Sequence, residues 1–238
     1  MTILTDHQRI ALDRYAELQA RHPELFRNRV LRAIITDRAT MEAYALEHQA
    51  VLGVAAETPY FLFVCDLVQP AHGAPFVYSR LIHCGQLGGG TNVAVLATIA
   101  NPALGQLGDI VLVEQERHAT GQMETAIPRG FGQPGETGVD SALAELLQET
   151  GYIGSDAEFL GKTFIDSGAG DARVSFYRVR VRARVEATPE PGEAIRSVKL
   201  MSPAALCSAV RSLEAADSFT VQALALAGYA ETLGVCRR

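Results

Sequence analysis

The stretch Gly130-Phe-Gly-Gln-Pro-Gly-Glu-Thr-Gly-Val-Asp-Ser-Ala-Leu-Ala-Glu-Leu-Leu-Gln-Glu-Thr-Gly-Tyr152 constrains this chain more than any other. It opens as a Gly/Pro-rich loop. A helix is predicted to start at Thr137, an N-cap with Asp140 three residues on. The same helix is predicted to stop at Gly151, the residue type that most readily takes the left-handed turn ending a helix. At about 100° per residue, Val139, Leu143, Leu146 and Leu147 gather on one side. Glu145 and Glu149 fall on the other, with Gln148 at its edge. One face is thus expected to pack on a core while the other aims two carboxylates at whatever the loop encloses. An amphipathic surface helix with merely solvated glutamates shares this much of the pattern.

The spacing of the whole stretch carries more. It resembles the box of the Nudix family, Gly-x5-Glu-x7-Arg-Glu-U-x-Glu-Glu-x-Gly-U, where U is a bulky apolar residue. Gly130, Glu136, Glu145, Leu146, Glu149 and Gly151 land in register, and Tyr152 closes it. Ala144 stands where the family has Arg, and Gln148 where it has the first Glu of the Glu-Glu pair. Upstream, Gln115 and Arg117 followed by Ala126-Ile-Pro-Arg-Gly130 are similar to the ADP-ribose pyrophosphatase branch. There a strand ending in Gln-x-Arg-x leads to a Glu-U-Pro-Ala-Gly turn. Pro128 and Gly130 fit that turn, whereas Ala126 replaces its Glu and Arg129 its Ala.

This resemblance implies a Mg²⁺ (or Mn²⁺) site that clamps a diphosphate for attack by water. It implies Glu145 and Glu149 as metal ligands, Gln148 as a carbonyl donor without the charge, and Glu136 nearby. Ala144 lacks an orienting Arg whose role is typically worth roughly 10–100-fold, so the metal site is expected to be weakened. The family's base lies on a loop before the last strand, in a pattern like Glu-x-Glu-x-Ile-Arg. Glu193, followed by Ile195 and Arg196, resembles it, so the implied catalytic set is Glu145, Glu149 and Glu193. Glu190 and Glu193 equally suit a solvated Pro/Gly loop, and Asp171 is a second candidate that also suits a hairpin turn. Arg117, Arg129 and Gly130 are the substrate-binding candidates; Arg129 reads either as a cation near the phosphates or as a surface Arg.

Two function classes follow. One is a metal-dependent hydrolase of a nucleoside diphosphate linked to another moiety, ADP-ribose-like. The other is a catalytically weak or inactive Nudix fold that binds a nucleotide or a partner, suggested by Ala144, Gln148 and Ala126.

The resemblance covers roughly residues 90–212 and implies an α/β fold, a Nudix-type α/β/α sandwich with a mixed sheet. Residues 89–238 are expected to form it with C-terminal helices, after an N-terminal helical segment (1–55) and a small extra β-sheet (56–88). Within the first segment, helices are predicted over 6–22, capped by Asp6, and from Thr40 through Leu52, stopped by Gly53. Ala11, Tyr15 and Leu18 share one face of the first helix. Strands are predicted at Tyr60–Val68, Phe76–His83, Val93–Ile99, Ile110–Glu116, Glu158–Ile165, Val174–Val185 and Ile195–Leu200. A helix starts at Ser202-Pro203, and a closing helix runs from Asp217 or Ser218 through Leu233. The strands at 60–83 sit where ADP-ribose pyrophosphatases carry a dimerising sheet, so a homodimer is expected.

A net charge of −6 and the lack of a basic run argue against nucleic acid as a partner. Arg178, Arg180, Arg182 and Arg184 alternate, which in a strand makes one cationic face, either solvated or phosphate-binding. Cys65, Cys84, Cys207 and Cys236 form no CxxC pair, which disfavours zinc or a redox dithiol and suits a reducing compartment. No apolar run approaches the length of a membrane span, and the polar N-terminus does not read as a signal peptide. A cytoplasmic protein is expected.

Overall fold

The computed structural model describes residues 3–215 and 217–234, in two compact units; Cys236 lies outside the described residues. The first unit holds residues 3–87 together with the turn Ile165–Ala172. It contains α1 (Asp6–Arg21), β1 (Arg32–Ile35), α2 (Arg38–His48), β2 (Gly53–Glu57), β3 (Phe61–Pro70), β4 (Phe76–His83) and the single turn α3 (Cys84–Leu87).

Thr5, rather than Asp6, caps α1. Its hydroxyl accepts from the Gln8 N–H while Gln8 Oε1 accepts from the Thr5 N–H, a reciprocal capping box. Asp6 falls in the first turn and pairs with Arg9. Ala11, Tyr15 and Leu18 share the buried face as expected, joined by Leu12. The second helix starts and stops earlier than predicted. Asp37 caps it by accepting from the Thr40 N–H at 2.8 Å, and Gln49 ends it in the left-handed region (φ 53°). The chain then leaves through Gly53 (φ 95°), where a Cβ would lie 2.3 Å from the Ala11 carbonyl oxygen.

The first 55 residues are not wholly helical, because β1 pairs antiparallel with the end of β3. β3 is the centre of an antiparallel sheet, with β4 along one edge and β2 and β1 end to end along the other. Asp66 is buried in this sheet and is fully partnered: Tyr15 Oη donates at 2.6 Å and Arg80 Nε at 2.6 Å. Satisfying a buried carboxylate in this way is what makes its burial tolerable. On the opposite sheet face Phe63 pairs with Leu81, and both are exposed, as is Phe61.

The second unit holds β5 (Asn92–Ile99), β6 (Ile110–Arg117), β7 (Gln122–Ala126), β8 (Arg129–Phe131), α4 (Gly138–Thr150), β9 (Tyr152–Phe164), β10 (Arg173–Arg184), β11 (Ile195–Met201), α5 (Pro203–Arg211) and α6 (Ser218–Leu224). Its mixed sheet runs β11-β6-β5-β10-β9, with β7 on β6 and β8 on β5. β5 and β10 are parallel; the other pairs are antiparallel. α4 covers one face, packing Ala142 and Leu146 on Val93, Val95 and Val179. α5 and α6 cover the other, packing Leu206, Ala223 and Leu224 on Ala94, Leu96 and Phe176. The result is the expected α/β/α sandwich.

β9 begins at Tyr152, earlier than the pattern suggested. Gly151 (φ 73°) turns the chain straight from helix into strand, and three register shifts against β10 blur the alternation that a sequence shows. The closing helix is shorter than predicted: α6 ends at Leu224, a π turn follows over Ala225–Tyr229, and Gly228 (φ 90°) breaks it.

Candidate active site

Thr137 caps α4 by accepting from the Asp140 N–H, and Gly151 closes the helix, as the loop–helix pattern required. The helix is rotated relative to the simple amphipathic reading. Ser141, Ala142, Leu146, Glu149 and Thr150 are buried, whereas Val139 and Leu147 are 38% and 41% exposed. Glu149, expected on the polar side, is 2% exposed. The helix therefore buries a carboxylate against β8 rather than presenting it to solvent.

Two contacts fix it there. The Arg129 N–H donates to Glu149 Oε2 at 3.2 Å. One turn earlier, the Phe131 N–H donates to Glu145. Gly130 lies between these donors, and a Cβ on it would sit 2.2 Å from Glu145 Oε1, so any larger residue would push the Glu145 carboxylate off this position.

The loop before β11 brings the third carboxylate. A single 3₁₀ turn at 191–193 holds Glu193, whose Oε2 accepts from the Glu190 N–H at 2.8 Å. Gln115, buried in β6, anchors this loop through a hydrogen bond from its Nε2 to the Glu193 carbonyl. Carboxylate oxygens of Glu145, Glu149 and Glu193 all lie within 4.8 Å of one another. Burial first, then the charges of Glu145 and Glu193, pushes the Glu149 carboxyl up to about 8. Burial and then Glu193 push Glu145 up to about 7. Burial and close like charges thus disfavour ionisation of Glu145 and Glu149 unless a cation joins them. Oxygen-only donors in such an array fit a hard divalent cation such as Mg²⁺ or Mn²⁺.

The other candidates fall into place around this trio with differing weight. Glu136 is exposed and lies outside the trio; it structures the loop by accepting from the Gln133 N–H at 2.9 Å and from Ser141 Oγ at 3.2 Å. Gln148 is half exposed, and its main-chain carbonyl accepts from the Thr188 N–H. Ala144 is exposed. Arg117, at the end of β6, has a buried Nε without a partner among the described residues, and its charge acts on both Glu149 and Arg129. The Arg129 guanidinium is largely buried: it pairs with Asp217 at 2.8 Å and lies 4.3 Å from the Phe219 ring centroid. Asp171 belongs to the turn in the first unit. Of the arginine stripe on β10, Arg178 meets Glu158 and the Ala227 carbonyl, Arg182 meets Asp156, and Arg184 lies over Tyr152.

Asp217 escaped the sequence reading as a site neighbour. Its Oδ2 accepts from the Thr220 N–H and hydroxyl, and Thr220 Oγ1 accepts in turn from the Ile127 N–H. The N-terminus of α6 thereby braces the segment that presents the Arg129 N–H to Glu149. The signal available in the sequence was only a helix-capping Asp.

Comparison with known proteins agrees with this geometry. A family model described as "NUDIX domain" matches residues 90–223. The chain belongs to the Nudix family. It is 26% identical over 205 residues to "Putative nudix hydrolase 2" of Caenorhabditis elegans, covering 76% of this chain and 89% of that protein. It is 32% identical over 88 residues to the "ADP-sugar pyrophosphatase" of Mus musculus, covering 35% of this chain and 40% of that one. The fold is shared with a structure titled "Crystal structure of ADP compounds hydrolase" (TM-score 0.60, 18% identity, 76% of this chain and 92% of that chain). The Nudix unit is thus that of a pyrophosphohydrolase. Among the described residues, no helix is long and apolar enough to cross a membrane.

Proposed function

We propose that the protein is a metal-dependent hydrolase that cleaves the diphosphate of a nucleoside diphosphate linked to another moiety, with ADP-ribose-like compounds as the substrate class. The observation that carries this reading is the convergence of Glu145, Glu149 and Glu193 from a helix and a separate loop onto one point. The names of the similar mouse and structural relatives support the ADP-linked class. Glu145, Glu149 and Glu193 would hold Mg²⁺ or Mn²⁺, which supplies charge neutralisation at the phosphates when bound. The chain's own residues do the rest. Arg117, whose buried Nε has no partner among the described residues, offers a guanidinium for phosphate oxygens. Arg129 positions Glu149 through its N–H, with its side chain held by Asp217. Glu193, on a loop pinned by Gln115, would take the proton of the attacking water on a carboxylate oxygen not given to the cation. Water oxygen bonds to one phosphorus, the bridging P–O bond breaks, and two phosphomonoesters leave.

Release assays with ADP-ribose, NADH, diadenosine and sugar-nucleotide substrates, each with Mg²⁺ and Mn²⁺, test the reading. Native protein is expected to cleave ADP-ribose slowly. Because Ala144 is exposed, an Arg fits there without repacking, and Gln148→Glu restores one charge. The double variant Ala144→Arg/Gln148→Glu is expected to be at least roughly tenfold faster at matched melting temperature. Nucleotide binding without cleavage by either protein would establish the binding-module alternative.

We also propose a homodimer formed through the exposed apolar face of Phe61, Phe63 and Leu81. Sedimentation at micromolar concentration is expected to give a dimer that Phe63→Glu/Leu81→Glu dissociates; a monomeric native chain refutes it. A cytoplasmic setting suits the free thiols of Cys65, Cys84 and Cys207.

A further inference from the structure

The N-terminal unit contains a cavity of about 380 Å³ whose lining residues all belong to that unit. A two-residue reversal at Val30-Leu31 joins Arg29 to Arg32, whose main chains exchange hydrogen bonds of 2.8 and 3.3 Å. Directly opposed residues in such a pair project on the same side, and like charges placed there repel. Arg27 is extended and precedes Arg29 by two residues, the spacing that returns to the same side. Arg29 Nη1 donates to the Arg27 main-chain carbonyl at 2.7 Å, which holds the Arg29 side chain back over the ribbon. Asn28 Oδ1 accepts from the Ile34 N–H at 3.0 Å and fixes the ribbon against β1.

All three arginines line the cavity, and none has a carboxylate within 4 Å among the described residues. The acids that border the same space do not relieve them. Asp66 is committed to Arg80 and Tyr15, Glu24 lies 3.3 Å from His22, and Asp171 pairs with none of the three. Arg32 rests 5.8 Å from the Tyr78 ring centroid, and Ile34 and Val68 add an apolar wall. In a chain of net charge −6, three guanidinium groups on one concave surface, none paired with a carboxylate among the described residues, ask for an anion. One guanidinium fork satisfies a carboxylate's two oxygens, whereas a phosphate monoester offers oxygens to more than one.

We propose that this cavity binds a small phosphate monoester of nucleoside-monophosphate size, with Arg27, Arg29 and Arg32 gripping the phosphate. The volume lies near the lower end of ligand pockets, about 300–1,000 Å³.

The test is calorimetric titration of the full chain, at low salt in EDTA, with AMP, ribose 5-phosphate, inorganic phosphate and adenosine. The chelator removes the cation that the acidic trio would need to receive a phosphate. AMP is expected to bind saturably, and adenosine not to bind. Glu149→Gln is expected to leave AMP affinity unchanged. Arg29→Ala/Arg32→Ala is expected to weaken it at least about tenfold without lowering the melting temperature, since both side chains are exposed and repel each other. Tighter binding of AMP than of inorganic phosphate supports the nucleoside-sized cavity; equal binding reduces the site to an anion clamp and overturns the size assignment. No AMP binding by the native chain, adenosine binding as tightly as AMP, or AMP binding unchanged in the double variant overturns the proposal. Hydrolysis measured on the same preparations separates the two readings. Intact hydrolysis without arginine-dependent AMP binding refutes only this site, and arginine-dependent binding without hydrolysis refutes only the proposed reaction.

Discussion

Glu149→Gln is expected to lower ADP-ribose hydrolysis by at least about 100-fold and, in chelator at pH 8, to raise the melting temperature. The first effect follows from the position of Glu149 in the trio: it is the most deeply buried of the three carboxylates, and its oxygens reach those of both others. Replacing it removes one of three anionic donors from the proposed cation site, and losses of this kind in general acid–base or metal chemistry run to roughly 10²–10⁴. Mn²⁺ titration is expected to show correspondingly weaker binding. The second effect follows from burial. An ionised Glu149 is costly in the metal-free fold, because its nearest acidic neighbours share its sign. Glutamine keeps an oxygen able to accept the Arg129 N–H at the same place and carries no charge. A functional carboxylate held at the expense of stability gives this opposite pair of signs. Unchanged activity in the variant would move the chemistry away from α4, and a lowered melting temperature at pH 8 would show that Glu149 acts as a structural group.

The contrast between these two effects also shows what the sequence could carry. The loop, its helix, the Thr137 cap and the Gly151 stop were legible because each rests on local backbone chemistry. The need for Gly130 was legible as a motif position, though its cause, the Glu145 carboxylate pressed onto the β8 backbone, was not. Helical periodicity placed Glu149 on the polar face, aimed at whatever the loop encloses, but says nothing of how deeply that place is buried. The structure buries it because two strands and a loop converge there, and none of these is encoded in the helix. Glu193 was reachable only by resemblance, since a glutamate in a Pro/Gly loop is ordinary; its meaning comes from Gln115, which holds that loop from β6. Asp217 was visible as a helix cap but not as the partner of Arg129, because the pairing joins segments far apart in the chain. The same limit hid β1, whose four residues acquire strand character only by pairing with β3.

Stability in chelator is expected to fall as pH rises from about 5 to 8.5, and Mn²⁺ is expected to reverse the fall only at the alkaline end. Glu145 is pushed up to about 7 and Glu149 to about 8, from an ordinary carboxyl value near 4.5. The folded state therefore binds these protons more tightly than the unfolded chain does. Below about 4.5 both states are protonated and the contribution is fully present. Above 4.5 the unfolded chain releases its protons first, so stability declines until the folded carboxyls ionise near 7–8, where it levels off. Glu190, Glu193 and Glu136 reinforce the rise and Arg117 opposes it. The full decline is on the order of several kcal/mol, a large part of a typical domain's 5–15 kcal/mol. At about 2–4 °C per kcal/mol for a chain of this size, it corresponds to roughly 10 °C in melting temperature. A separate acid limb lies lower. Arg196, then Lys199 and Ser197, hold Glu114 down at about 2, so its contribution is present above about 4.5 and is lost as pH falls toward 2. The two limbs do not overlap. Within pH 5–8.5 burial also holds the His83 imidazole below its ordinary value, a contribution that rises with pH and that Glu149→Gln keeps. The difference between native and variant slopes therefore reports the buried acids. Thermal melts of native protein and Glu149→Gln, with EDTA or Mn²⁺, decide the matter. A native slope that the variant retains in full would assign it to other groups. Mn²⁺ stabilising equally at pH 5 and 8.5 would show that the metal does not compete with protons for these carboxylates.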